Sequence, residues 1–139
     1  MGKIKFIERE LHKYRDLIQW NEDNVPEHSG VYILMAKDGQ MFQYPNGKST
    51  IFYIGQATNL YRRLREHKKY SLEAKQNRKI GLYWPRYEFA AKFGALFTYV
   101  LTKQGESPRG LEQKILHKFA LMYRSFPIAN GVGSWGKIK

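Results

Sequence analysis

Apolar side chains recur along the first part of the chain at helical spacing: Ile7, Leu11, Tyr14 and Ile18, with Leu17 beside them and charged residues between. This pattern predicts an amphipathic helix over residues 6–20. Residues 21–29 form a polar connector bent at Pro26 and at Ser29-Gly30. Residues 31–37 are rich in branched and aromatic side chains and read as a strand, with residues 49–55 as its partner. Between the two lie the turn pairs Asp38-Gly39 and Asn46-Gly47. One hairpin with an elaborated tip is the preferred arrangement; the alternative makes residues 40–44 an extra strand that reverses the direction of the chain beyond it.

Residues 59–69 read as a helix that either Thr58 or Asn59 can cap, with Leu60, Leu64 and the stem of His67 on one side. Residues 93–102 read as a third strand. Ser107-Pro108 opens a last helix, with serine as cap and proline at its first position; Leu111, Ile115, Phe119 and Met122 are its buried stripe and Pro127 ends it. The order helix, strand, strand, helix, strand, helix defines an α+β fold. It has a small, mostly antiparallel three-stranded sheet flanked by helices, with an added N-terminal helix. Residues 1–28 are expected to pack as helix and connector on a domain over residues 29–131, with a basic tail at 132–139.

Composition narrows the function classes. The 139 residues suit one domain, and 42% hydrophobic with 15% aromatic residues suffices for a core of modest size. The charge of +12, from 24 Lys+Arg against 12 Asp+Glu, is large for this length and points to a polyanionic partner, nucleic acid ahead of an anionic membrane. The longest apolar stretches are too short to span a bilayer. Glu8, Glu10 and Asp16 interrupt the N-terminal segment, so it does not read as a signal peptide. The chain has no cysteine, which removes disulfides and cysteine-bearing zinc sites and fits an intracellular location, cytoplasmic or nucleoid-associated.

The candidate chemistry lies in the order of a few polar residues. Arg63 and His67 are four apart and share one helix face, just beyond a strand end that carries Tyr53. Gly55 allows a sharp bend and a close approach of a ligand. Glu112 borders the buried stripe of the last helix. It serves either as a first-turn acid favouring the helix dipole or as a ligand for a hard cation, which takes carboxylate oxygen and keeps several waters. Tyr32 and Tyr53, in strands, are core aromatics or site residues.

Gly30-Val31-Tyr32, then Tyr53-Ile54-Gly55, then Asn59-Leu60 with Arg63 and His67 in register, resembles the GIY-YIG nuclease family. The separation of Tyr53 from Arg63 selects Arg63 rather than Arg62. Glu112 on a late helix and Asn130 after Pro127 resemble the remaining motifs, so the resemblance covers roughly residues 29–131. Two departures stand out: Tyr32 and Tyr53 are farther apart than in compact members, and Val31 replaces isoleucine.

The resemblance implies a phosphodiester hydrolase that uses magnesium or manganese and acts on DNA, in duplex form, as a monomer or homodimer. By it, Glu112 holds the metal and Arg63 grips the scissile phosphate. Tyr32 takes the proton of the attacking water, with His67 receiving or relaying it, and either of the two is a candidate general base. Tyr53 orients water or phosphate, and Asn130 braces the site. Arg63 and Glu112 are expected to converge on one pocket.

Residues 68–93 add a basic stretch, with Lys68, Lys69, Arg78, Lys79 and Arg86 as candidate nucleic-acid contacts. Tyr83, Trp84 and Tyr87 are interleaved with them; they anchor the stretch to the body or stack on an unpaired base. The competing reading is a non-catalytic basic module for DNA or structured RNA. A weaker one is an adaptor for acidic protein surfaces.

Overall fold

The computed structural model describes residues 4, 6, 7, 9, 11–77 and 84–130. Its centre is strand β2 (Gly30–Met35), every residue of which is buried. A strand buried on both faces needs neighbours at both edges. Here β5 (Ile51–Ala57) pairs with it on one side and β6 (Leu96–Leu101) on the other, both antiparallel. Strand β1 (Arg15–Asp16) adds to β6, giving a four-stranded sheet in the order β1-β6-β2-β5. The expected three strands are present, and the fourth comes from a segment whose periodicity reads as helical.

That segment is the main correction. Among the described residues, 4 to 20 contain no helix. The Leu17 amide donates to the Ala95 carbonyl at 2.8 Å, and the Thr98 hydroxyl donates to the His12 carbonyl at 2.6 Å. Without these partners β6 would present an open edge, whose unpaired peptide groups are costly to bury. Leu17, which the helical stripe leaves aside, is fully buried, whereas Ile18 is only half-buried. Trp20 meets Phe97 edge-on at 5.3 Å, and Asp16 Oδ1 accepts from the amides of Ile18 and Gln19, turning the chain sharply after β1.

The tip between β2 and β5 is a second hairpin, β3 (Phe42–Tyr44) with β4 (Gly47–Ser49). Two added strands reverse the chain twice, so the preferred β2–β5 pairing survives alongside a strand at the tip. Asp38 and Gly39, between β2 and β3, both take positive φ in a tight turn closed by the Gln40 amide donating to the Lys37 carbonyl at 3.1 Å. The register of β2 against β5 slips between Leu34 and Met35: Leu34 faces Tyr53 and Met35 faces Ile51, leaving Phe52 as an extra residue. A bulge lets consecutive side chains lean to one side of a sheet. Phe52 accordingly reaches Phe89 on the helical layer, the side from which Tyr53, in regular alternation with Gly55, already reaches His67.

Helix α1 (Leu60–Asn77) runs well past the expected end at residue 69. Its buried positions are Leu60, Leu64, His67, Ser71 and Ala74, one continuous stripe in which two polar residues disguise the apolar pattern. Asn59, not Thr58, caps it: Asn59 Oδ1 accepts from the Arg62 amide at 3.0 Å. Helix α2 (Pro85–Phe93) occupies the last part of the basic stretch at residues 68–93. Its signal is Trp84-Pro85, proline at the first helical position. Helix α3 (Pro108–Tyr123) is capped as expected, with Ser107 Oγ accepting from the Gly110 amide at 2.9 Å. A closing turn at Ile128–Asn130 comes last. No helix among the described residues is long and apolar enough to cross a membrane. The tail at 132–139, with Arg78, Lys79 and Tyr83, lies outside the described residues.

Candidate active site

Two glycines create the space in which the site is built. Gly30 lies where a Cβ would stand 2.3 Å from the Val100 carbonyl oxygen and 2.8 Å from Leu60 Cδ1, so a side chain would drive β2, β6 and α1 apart. Gly55 faces Tyr32 across the β2–β5 pair. A Cβ there would lie 2.4 Å from Tyr32 Oη, 2.6 Å from its Cζ and 2.8 Å from Tyr53 Cε2. Gly55 therefore does more than bend the chain; its missing side chain is the seat of the Tyr32 phenol.

In that seat Tyr32 Oη lies 2.5 Å from His67 Nε2, with both side chains essentially inaccessible to water. The positive charge of the Arg63 guanidinium acts on the same phenol and favours its ionised form. His67 Nδ1 is buried without a hydrogen-bond partner among the described residues, as is Ser71 Oγ one turn further along α1.

Burial dominates the electrostatics. It pushes the Tyr32 pKa well above 10; the nearby Tyr53 adds to the rise, and Arg63 and Arg86 oppose it without cancelling it. Burial also holds His67 well below its ordinary 6.5, and the positive charges of Arg63 and Arg86 lower it further. The resting pair is a neutral phenol bonded to a neutral imidazole with an accepting nitrogen. Burial disfavours the charge on Arg63 too, but Tyr32, Glu66 and Tyr87 more than compensate and raise its pKa. Arg63 Nη1 bonds Glu66 Oε1 at 3.0 Å at the protein surface. A cleft of about 340 Å³ opens beside it, lined by the end of β5 and the first turns of α1.

Tyr53 is half-buried, its ring 6.1 Å from Tyr32 and 6.2 Å from His67. Arg86 arrives from α2, its guanidinium 5.1 Å from the Tyr53 ring, 5.0 Å from Tyr87 and 5.3 Å from Trp84. The sequence marks Arg86 as a nucleic-acid contact on a basic stretch; the structure sets it against the second tyrosine of the site. Tyr87 is buried, 5.4 Å from the His67 ring, so it anchors α2, whereas Trp84 stays 62% exposed.

Asn130 binds the outer edge of β5. Its Oδ1 accepts from the Ile54 amide at 3.1 Å and its Nδ2 donates to the Ile54 carbonyl at 2.8 Å. This pairing satisfies both edge groups between Tyr53 and Gly55, which is a bracing role. Glu112 lies beyond the first turn of α3, so a helix-dipole role does not describe it, and it is only 7% exposed. Helix α3 packs on β5 and β2. Glu112 does not line the cleft beside Arg63. Lys68 is drawn into the protein, its Nζ bonded to the Trp20 carbonyl and 3.8 Å from Glu22, and so ties the N-terminal segment to α1. Lys69 is exposed, lying over the Tyr70 ring.

A family model described as the GIY-YIG catalytic domain matches residues 28–120, and the chain belongs to that family, whose members are nucleases. The match takes in Tyr32, Tyr53, Arg63, His67 and Glu112; Asn130 and the N-terminal segment lie outside it. Among the curated proteins and the solved structures compared with it, none matches the chain.

Proposed function

We propose that this chain is a divalent-metal-dependent DNA endonuclease. The observation that carries the reading is the buried 2.5 Å bond between Tyr32 and His67 beside the Arg63 guanidinium. A phenol is a poor base near neutral pH because it must first lose its own proton. A neutral imidazole bonded to the phenol supplies the acceptor. A water brought in with the phosphate that Arg63 holds gives its proton to Tyr32 Oη as Tyr32 passes its hydroxyl proton to His67 Nε2, so no isolated phenolate has to form. His67 leaves this step as an imidazolium. Arg63 holds the phosphate with its planar fork and gains strength as negative charge builds. Tyr53 orients the phosphate or the water.

The residues present also bear on the metal. Among the described residues there is no group of three or more His, Cys, Asp or Glu that could hold an ion. That argues against an all-protein cage of the zinc or calcium type and suits a cation that keeps most of its waters on one carboxylate. Glu112 would hold it. Bound magnesium or manganese would supply Lewis-acid stabilisation of charge on the phosphate and the departing oxygen.

Glu112→Gln removes the carboxylate charge with little change of shape. Supercoiled plasmid incubated with magnesium should be nicked by the unaltered protein, not by the variant, and not in the presence of chelator, while both proteins still shift DNA in a gel. Full nicking by the variant would take Glu112 out of the mechanism. A gel shift with no nicking by either protein would favour a non-catalytic binding module.

A further inference from the structure

Trp84 is the most exposed large hydrophobic side chain among the described residues, at 62%, and it lies beside Arg86, which faces the second tyrosine of the site. Exposing an indole to water is unfavourable, and single exposed aromatics are commonplace, so exposure by itself decides nothing. Its neighbours do. The Arg86 guanidinium lies 5.3 Å from the Trp84 ring and 5.1 Å from the Tyr53 ring, bridging the exposed indole to the tyrosine of the site. Arg86 Nε is buried without a hydrogen-bond partner among the described residues. The guanidinium is thus held among three aromatic rings, those of Tyr53, Trp84 and Tyr87. Pro85, immediately after Trp84, opens α2 with a fixed backbone angle, so the indole is mounted on a stiff element.

A planar cation beside an exposed indole matches the two chemistries of one nucleotide, a phosphate and a π-face. We infer that Trp84 and Arg86 form a nucleotide subsite next to the scissile phosphate. There the indole stacks an unstacked base and Arg86 takes the adjoining phosphate. The inference rests on the endonuclease reading and makes it narrower. In a continuous duplex each base is already stacked and paired, so filling the subsite requires extruding one, at a cost of a few kcal/mol. DNA that already carries an unpaired base beside the cut avoids this cost. The preferred substrate is therefore DNA interrupted by an unpaired base, such as a flap, gap edge or mismatch.

The test measures binding in chelator, without cleavage. Two oligonucleotide duplexes of equal length are compared, one continuous and one carrying an unpaired 2-aminopurine. The unaltered protein should bind the interrupted DNA about tenfold more tightly, the scale of one base stacked on an aromatic ring, and quench 2-aminopurine emission. Trp84→Ala should bring the affinity ratio close to one and abolish the quench, and Trp84→Phe, which keeps a stacking face, should restore most of both. Equal affinity of the unaltered protein for the two DNAs, or a ratio and quench that survive in Trp84→Ala, would overturn the inference. If Trp84→Ala fails to fold, the comparison of Trp84→Phe with Trp84→Leu decides in the same way. A protein that shows the preference yet never nicks in magnesium keeps the subsite and refutes the nuclease reading; nicking without preference does the reverse.

Discussion

Gly55→Ala adds one methyl group at the point on which the site depends. The new Cβ would stand 2.4 Å from Tyr32 Oη, 2.6 Å from Tyr32 Cζ and 2.8 Å from Tyr53 Cε2. None of these distances is tolerable, and Tyr32, 1% exposed, has no free volume to enter. Overpacking of this kind costs about 1–3 kcal/mol. Moving the phenol also breaks its bond to His67, for about a further 1 kcal/mol. The total of roughly 2–4 kcal/mol corresponds, at this chain length, to a fall in Tm on the order of 10 °C. Plasmid nicking should disappear even at temperatures where the variant is folded, because Tyr32 has left its place. The steric origin is checked with a double-mutant cycle by thermal melting. In a Tyr32→Phe background the closest clash, to Oη, is gone, so Gly55→Ala should cost measurably less than in the native background. An equal cost in both backgrounds, or a Gly55→Ala protein with native Tm and nicking, would refute the argument.

The depressed pKa of His67 sets a pH dependence. His67 must be neutral to accept the Tyr32 proton, so the acid limb of kcat/KM should fall at a pH clearly below 6.5; a limb at or above 6.5 would exclude His67 as the acceptor. The same shift acts on stability. Between the lowered value and 6.5 the unfolded chain binds more protons than the folded one, so stability holds above about 6.5 and declines as pH falls below it, a decline that His67→Gln should reduce in melts across that range. Asn130→Ala frees both edge groups of Ile54 and should lower stability by about 1–3 kcal/mol; Asn130→Asp, which accepts from the amide but repels the carbonyl, should recover little of it in denaturant titrations. Arg63→Lys keeps the charge and loses the fork, and should lower kcat in nicking by more than tenfold, with a near-native rate pointing to another cation.

The local elements are legible wherever a local rule specifies them. The Ser107-Pro108 opening of α3, the Asp38-Gly39 turn and the buried runs of β2 and β6 come from caps, positive φ and branched side chains within a few residues of each other. The order Tyr32, Tyr53, Arg63, His67, Glu112 is legible for the same reason, since a motif is a linear spacing. Residues 6–20 mislead because their apolar period satisfies a helix, while the open edge of β6, distant in sequence, recruits Arg15 and Asp16 as a strand. The second half of α1 is hidden because its stripe passes through His67 and Ser71, polar residues that only the packed helical layer withdraws from water.

Sequence alone determined which chemical groups the chain carries, their order, and the turns and caps that each need a few neighbouring residues. Only the tertiary structure decided that Gly55 makes room for the Tyr32 phenol, that His67 meets that phenol in a dry seat, that a bulge turns Phe52 to the layer Tyr53 already faces, and that Arg86 comes back from α2 to stand over Tyr53. The physical reason is range. Backbone conformation answers to neighbours along the chain, whereas packing volume, burial and the pKa shifts that burial drives depend on groups brought together from distant positions.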